Sequence, residues 1–276
     1  MVNEIPAAPF SGREPWVIMG ILNVTPDSFH DGGRYLGADA AIERAREMAA
    51  AGAGIIDVGG ESTRPGAGRV TVDVELRRVI PVIEAIAGDT DIPVSIDTSK
   101  SEVAAAALAA GAAMINDITA LRGDSGMAAV AAGAGCPVCL MHMQGDPASM
   151  QENPGYDDVV GEISAFFRER IEWAVTEGVR RENIILDPGI GFGKKLEHNL
   201  AIIREFERFL ELGQPLMIGV SRKSFIGMIM DGAGTEDRLP GTLAMNVMAY
   251  HSGARIFRVH DVAENFQAIR VAAAAG

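Results

Sequence analysis

Polar residues follow short apolar runs at eight places in the chain, and their types fall into two groups. The middle runs end in carboxylates and amides, and the last two end in cations. In chain order these residues are Asn23, Asp57, Asp97, Asn116 with Asp117, His142, Asp187, Ser221 with Arg222 and Lys223, and Arg258 with His260. Carboxylates and amides can hydrogen-bond the edge of a flat nitrogen heterocycle, whereas Arg, Lys and protonated His hold an anion. The pattern therefore predicts a pocket with two halves, one for a heterocycle and one for an anion.

The eight apolar runs predict the elements that must position these residues. They are "VIMGIL" (17–22), "GIIDV" (54–58), "PVSID" (93–97), "AMINDI" (113–118), "PVCLMH" (137–142), "NIILD" (183–187), "PLMIGV" (215–220) and "RIFRV" (255–259). Amphipathic helical patterns separate them, so right-handed crossovers would close the strands into a (β/α)8 barrel, the TIM-barrel fold, with an open doubly wound sheet as the alternative. No linker interrupts the chain. We therefore expect one α/β domain over residues 1–276, with its core at about 17–270.

Composition and charge exclude several classes of protein. The 276 residues are 48% hydrophobic, enough to bury one sizeable core, and the net charge of −13 would repel nucleic acid and anionic membranes. An anionic ligand therefore needs a local cationic pocket or a metal. We find neither a run of roughly 18 apolar residues nor a signal-peptide pattern, which predicts a cytoplasmic protein. Cys136 and Cys139 lack a second pair for zinc and enter a strand, so we expect inert, buried, reduced thiols.

Each candidate also has a purely structural interpretation. Asp57 could brace a neighbouring loop, Asp97 and Asp187 could cap the next helix, and Asn116 could satisfy a loop. We interpret His142 as a structural or supporting group. The segment "GIGFG" matches neither common phosphate-binding glycine motif, so its glycines indicate a close backbone approach that leaves the intervening Phe192 free to stack on a ring.

Eight motifs in series carry a family resemblance. "ILNVTPDSF", "DVGGESTRPGA", "SIDTSK", "INDI", "LMHMQG", "ILDPGIGFGK", "GVSRKSFIG" and "RVHDV" resemble dihydropteroate synthase, a folate-pathway transferase with a TIM-barrel fold, over residues 17–262. The resemblance implies that the enzyme joins (7,8-dihydropterin-6-yl)methyl diphosphate to 4-aminobenzoate, with release of diphosphate. It also implies a homodimer formed through the outer helices of the late strands.

The resemblance also implies a role for individual residues. The pterin would be held by Asp97, Asn116, Met141, Asp187 and Lys223. The diphosphate would be held by Asn23, Arg258 and His260, with Asn23 also reaching a Mg²⁺ cofactor. The 4-aminobenzoate site would be lined by Thr63, Arg64, Pro65, Phe192 and Ser221. The chemistry itself would fall to Asp97, Lys223, Arg258 and Asn23.

Two Gly- and Pro-rich loops, loop one (23–35) and loop two (59–69), have few apolar anchors. We expect both to be mobile without ligand, so that the 4-aminobenzoate site is completed only when diphosphate binds. Two other functions compete with the synthase. A methyltetrahydrofolate methyltransferase serving a corrinoid partner would share the pterin contacts, and a catalytically silent relative would keep only the fold. The complete "SRK" and "RVH" motifs favour the synthase, because a methyltransferase has no diphosphate to bind.

Overall fold

The computed structural model of the protein describes residues 14–24, 34–62, 68–146 and 149–276. Eight parallel strands alternate with helices along the described chain. The strands are β1 (Val17–Asn23), β2 (Ile55–Gly59), β3 (Val94–Asp97), β4 (Met114–Asp117), β5 (Val138–Met141), β6 (Ile184–Asp187), β7 (Met217–Ile218) and β8 (Ile256–Val259). The helices are α1 (Arg34–Ala50), α2 (Val72–Asp89), α3 (Ser101–Ala109), α4 (Met127–Ala134), α5 (Val159–Thr176), α6 (Leu196–Arg204), α7 (Ser224–Ile229), α8 (Leu239–His251) and α9 (Val262–Ala275).

Strand pairing closes the sheet. The strands pair in the order β6-β5-β4-β3-β2-β1-β8-β7, and a parallel bridge between Leu186 and Leu216 joins the two ends. This closure confirms the predicted (β/α)8 barrel and excludes the open sheet. Strand β7 is shorter than the predicted run 215–220. Its place beside β8 is supported at Leu216, whose carbonyl accepts from the amides of Arg255 and Ile256 at 2.9 and 3.2 Å.

Alternation along the strands gives each one an inner and an outer side. Outward residues such as Ile18, Ile56 and Ile96 join the large core between strands and helices. A separate buried cluster comes from seven of the eight strands: Val17, Met19, Ile55, Met114, Cys139, Ile185, Met217 and Ile256. This cluster packs the barrel interior, so the polar residues that follow it must lie at the carboxyl rim.

Register brings the ends of neighbouring strands level at this rim. Asn23 pairs with Gly59, Gly59 pairs with Asp97, and Asp97 pairs with Asn116. On the other side of the barrel Met141 pairs with Asp187. Five of the predicted site residues are therefore placed by backbone pairing before any side-chain contact is considered.

Some helix ends lie where the sequence predicts them, and others do not. Thr71 caps α2 by accepting from the Val74 amide, and Gly135 ends α4 in the left-handed region at φ 61°. The pattern 196–213 predicts one continuous helix. Instead α6 ends at Arg204, and a 3-10 segment follows at Phe206–Leu212.

The remaining sequence predictions have mixed outcomes. Cys136 and Cys139 are buried and unpaired, as predicted, and burial raises the pKa of both thiols. Within the described ranges, no helix is both long and apolar enough to cross a membrane. Most of loop one lies outside the described residues. So does the part of loop two that holds Thr63, Arg64 and Pro65.

Candidate active site

Arg258 is the hydrogen-bonding centre of the rim. From β8 its Nε donates to Asp57 Oδ2 at 2.6 Å, and its Nη2 donates to Asp97 Oδ2 at 2.7 Å. Asn116 Nδ2 donates to the same oxygen of Asp57 at 3.1 Å. Four strands thus contribute to one connected polar network, which ties a residue of the predicted anion half to two residues of the predicted heterocycle half.

Asp57 has a larger role than the bracing of a loop. Its side chain is fully buried, and its contacts are to the site residues Arg258 and Asn116. A sequence signal was available, because Asp57 is a carboxylate inside the apolar run "GIIDV", where a buried charge needs a polar partner.

Burial and shared charge govern ionisation in the network. Burial raises the pKa of Asp97 to about 7, against the opposing effect of Arg258 and with a contribution from the Asp57 carboxylate. One guanidinium serves two carboxylates, that of Asp57, which is fully buried, and that of Asp97, which is partly buried. The group therefore carries excess negative charge, which favours proton uptake at Asp97.

Neither Asp97 nor Asp187 caps a helix. The N-terminal flanking residues of α3 and α6 are Lys100 and Lys195, and Asp97 contacts Arg258 instead. Asp187 Oδ1 accepts from the Gly189 amide at 2.7 Å. Burial raises the pKa of Asp187, and nearby Lys223 opposes this rise. The capping interpretation is wrong for both residues, which leaves their carboxylates available to the pocket.

Lys223 lies between the polar network and an apolar wall. Its Nζ donates to the carbonyl of Ile190 and stands 4.4 Å from the centre of the Phe192 ring. Burial lowers the pKa of Lys223 to about 8, with Asp187 opposing the shift. The wall is an apolar cluster made of Ile118, Met141, Met143, Met150 and Phe192. A flat ring bound by the carboxylates would therefore meet a cation and a soft apolar surface.

The glycines of "GIGFG" allow the close backbone approach that the sequence predicts. Gly189 has φ 68°, and a Cβ there would lie 2.0 Å from the carbonyl oxygen of His142. Behind this contact Lys194 is buried, and its Nζ lies 3.0 Å from His142 Nδ1 and 2.9 Å from the Phe192 carbonyl. Burial, with help from Lys194, lowers the pKa of His142 to about 2. His142 is thus a neutral supporting group, and the sequence did not single out Lys194.

The remaining predicted residues lie on the anion side of the rim. Ser221 Oγ accepts from the His260 amide at 3.1 Å and lies 3.0 Å from His260 Nδ1. A Cβ built on Gly59 would be 3.5 Å from Asp97 Cβ and 3.8 Å from Asn23 Oδ1, so the side chains of Asn23 and Asp97 are neighbours. Among the described residues, no three His, Cys, Asp or Glu side chains form a metal-binding group.

Comparison with known proteins decides the family. Residues 19–260 match the family described as pterin binding enzyme. The chain is 51% identical to a dihydropteroate synthase of Escherichia coli strain K12 over 254 residues, which cover 92% of this chain and 89% of that protein. A dihydropteroate synthase of Synechocystis is 48% identical, over 92% of this chain and 88% of that protein. The chain belongs to the dihydropteroate synthase family.

Solved dihydropteroate synthase structures agree with the sequence matches. The enzyme of Yersinia pestis in complex with a sulfonamide drug has a TM-score of 0.89 and 46% identity, with 94% of each chain covered. The enzyme of Xanthomonas albilineans in complex with 7,8-dihydropteroate has a TM-score of 0.85 and 43% identity, over 94% of this chain and 93% of that one. As a member of this family, the protein is a transferase of folate biosynthesis.

Proposed function

We propose that the carboxyl rim of the barrel joins 4-aminobenzoate to (7,8-dihydropterin-6-yl)methyl diphosphate, with the pterin in its acidic half and the diphosphate in its cationic half. The observation that carries this assignment is the hydrogen bond from Arg258 to Asp97, because it puts a residue of the cationic half in direct contact with a residue of the acidic half. A substrate in which a single methylene group separates the heterocycle from the diphosphate fits two halves that are in direct contact.

The pterin half offers the acceptors and donors that a pterin edge requires. Asp187 and Asp97 supply carboxylate oxygens, and Asn116 supplies an amide that is oriented by Asp57. Lys223 adds a donor beside Phe192, and Met141 belongs to the apolar cluster that would pack against the ring. Buried polar groups of this kind select a ligand strongly, because a wrong partner leaves them unpaired.

The diphosphate half would stabilise the leaving group. Two nitrogens of Arg258 are held by carboxylates, and its third nitrogen, Nη1, makes no hydrogen bond to any described residue. We assign Nη1, with His260 and Asn23, to the diphosphate. Preorganised positive charge there lowers the barrier as the C–O bond breaks and negative charge develops on the departing oxygen. The amine of 4-aminobenzoate needs no activation, and ionised Asp97 would stabilise positive charge on the pterin methylene.

We assign Mg²⁺ to the same half. A hard divalent cation prefers oxygen ligands, and the Asn23 amide oxygen beside Asp97 offers one at the rim. Bound there with the diphosphate, the ion would supply further positive charge to the leaving group.

The 4-aminobenzoate subsite is assigned to Thr63, Arg64, Pro65, Phe192 and Ser221. Phe192 and Ser221 flank the two halves, since one contacts Lys223 and the other His260. We retain the proposal that this subsite is completed only after diphosphate and Mg²⁺ bind. Calorimetric titration of 4-aminobenzoate with and without them tests it, and equal affinity in both titrations contradicts it.

A homodimer and a cytoplasmic location complete the proposal. Large apolar side chains are exposed on the late helices at Met228, Ile229, Met248 and Val271, where burial against a second copy would remove them from water. Light scattering of the wild type and of Met248→Glu tests the dimer, which the charged variant should weaken.

The proposed cytoplasmic location is supported by the two buried unpaired thiols, which suit a reducing compartment.

The reaction is tested by measuring diphosphate release with both substrates and Mg²⁺. We expect release that requires 4-aminobenzoate and yields 7,8-dihydropteroate. Methyl transfer from methyltetrahydrofolate without diphosphate release would indicate the methyltransferase, and tight pterin binding without turnover would indicate a silent relative.

A further inference from the structure

Arg222 has an unusual backbone conformation beside the site. Its φ is 55°, in the left-handed region that residues other than Gly, Asn and Asp seldom adopt. The conformation is held from both sides, because its amide donates to Thr242 Oγ1 at 3.0 Å and its carbonyl accepts from Arg238 Nη1 at 3.1 Å. A strained residue that its surroundings maintain at a functional site calls for a functional explanation.

The strained turn directs three consecutive side chains to different partners. Ser221 contacts His260, and Lys223 contacts the Ile190 carbonyl and the Phe192 ring. Arg222, between them, is directed to acidic residues instead. The turn is closed by a bond from the Lys223 amide to the Val220 carbonyl at 3.1 Å.

The guanidinium of Arg222 is fully engaged by carboxylates. Its Nε and Nη2 donate to the two oxygens of Asp261 at 2.9 and 2.5 Å, and its Nη1 donates to Glu236 at 2.8 Å. The Asp261 pair is bidentate and mostly buried, whereas Glu236 is exposed. The sequence groups Arg222 with the anion-binding cations, and this geometry removes it from that group.

Asp261 is itself fixed to the loop after β8. It follows His260 directly, and its carbonyl accepts from Asn265 Nδ2 in the first turn of α9 at 2.7 Å. The Arg222–Asp261 pair therefore ties the loop that carries Lys223 to the loop that carries His260, across 39 positions of sequence. The contact between His260 and Ser221 lies beside it.

We propose that Arg222 and Asp261 form a positioning pair, which sets Lys223 and His260 for the pterin diphosphate without touching that substrate. The proposal rests on the function proposed above, because it takes His260 as a diphosphate ligand and Lys223 as a pterin ligand. Arginine suits this positioning role better than lysine, because a planar guanidinium holds both carboxylate oxygens at once.

A double-mutant cycle tests the pair. We expect Arg222→Met and Asp261→Asn each to raise KM for the pterin diphosphate about tenfold with a smaller change in kcat, because ground-state placement of the anion is lost. In the Asp261→Asn background, Arg222→Met should add less than about twofold, since the pair is already broken. Arg222→Lys should behave like Arg222→Met, because charge alone does not restore the bidentate contact.

Two controls accompany the cycle. Glu236→Gln removes the exposed partner of the same guanidinium and should change KM by less than about twofold. Thermal unfolding of every variant separates lost positioning from lost folding. Should Arg222→Met fail to fold, Arg222→Lys takes its place in the cycle.

An unchanged KM in the single variants would overturn the proposal. So would an undiminished effect of Arg222→Met in the Asp261→Asn background, which would mean that Arg222 binds the anion itself. Calorimetry with inorganic diphosphate and Mg²⁺ makes the same distinction. If Arg222 contacts the diphosphate directly, its loss should weaken diphosphate binding both with Asp and with Asn at position 261. Wild-type diphosphate release is the reference, and its absence would instead contradict the proposed function.

Discussion

Arg258 and Asp57 are 201 positions apart in sequence, and Arg258 Nε donates to Asp57 Oδ2 at 2.6 Å inside the rim of the barrel. Asp57 is fully buried and also accepts from Asn116. Its other oxygen, Oδ1, has no hydrogen-bond partner among the described residues. One buried carboxylate thus orients a residue of each substrate half, which makes it a sensitive point for mutation.

Replacement of Asp57 by Asn should lower kcat/KM by roughly tenfold to a hundredfold, because a hydrogen bond to a charged partner contributes about 1.5–3 kcal/mol. The new amide nitrogen would also be buried in place of Asp57 Oδ1, which has no hydrogen-bond partner among the described residues. Steady-state kinetics with the pterin diphosphate varied measures the loss. Asp89→Asn, in the exposed pair with Arg46, is the matched control and should leave kcat/KM unchanged. Equal kinetics in the two variants would show that Asp57 does not orient the site.

The pH profile of kcat/KM should be bell-shaped, with limbs near the pKa values of Asp97 and Lys223. Activity should rise as pH increases through about 7, where Asp97 ionises, and fall above about 8, where Lys223 loses its proton. The Asp57 carboxylate raises the pKa of Asp97, so Asp57→Asn should move the acidic limb to lower pH. A limb that stays in place, measured in the same buffers, would assign it to another group.

Asp187→Asn should largely abolish turnover, since an amide presents a donor where a ring N–H of the pterin needs an acceptor. An unpaired buried group costs about 1–3 kcal/mol or more. Asp124→Asn is a suitable control, because Asp124 also accepts from backbone amides, at Ser101 and Gly126, and contacts none of the assigned site residues. It should affect stability but not KM. Near-wild-type kcat/KM for Asp187→Asn would remove Asp187 from the pterin site.

Gly189→Ala should lower the free energy of unfolding by about 2 kcal/mol and reduce activity, because the added Cβ would lie 2.0 Å from the His142 carbonyl at a positive φ. Gly133→Ala is the opposite case. Gly133 lies inside α4 with nothing within 4 Å of the added carbon, so the unfolding free energy should rise by about 0.5–1 kcal/mol. Urea unfolding of both variants measures the difference, and equal shifts would contradict the steric argument.

The sequence by itself predicted the barrel and the polar residues at the carboxyl ends of its strands. Each apolar run and each amphipathic pattern is a local property, so the positions of the strands and of the polar residue after each could be predicted without knowledge of any contact. Asp97, Asn116 and Asp187 lie at the rim because parallel strands bring their carboxyl ends to one face.

Only the tertiary structure decided which of these side chains contact each other. Asp57 contacts Arg258 because β2 and β8 pair with the two sides of β1, which brings their carboxyl ends together. Arg222 turns to Asp261 because the loops after β7 and β8 are neighbours, and Lys194 is buried because the turn at Gly189 packs against His142. These contacts depend on register, closure and close packing between segments distant in the chain, and such properties belong to the assembled fold rather than to any local stretch of sequence.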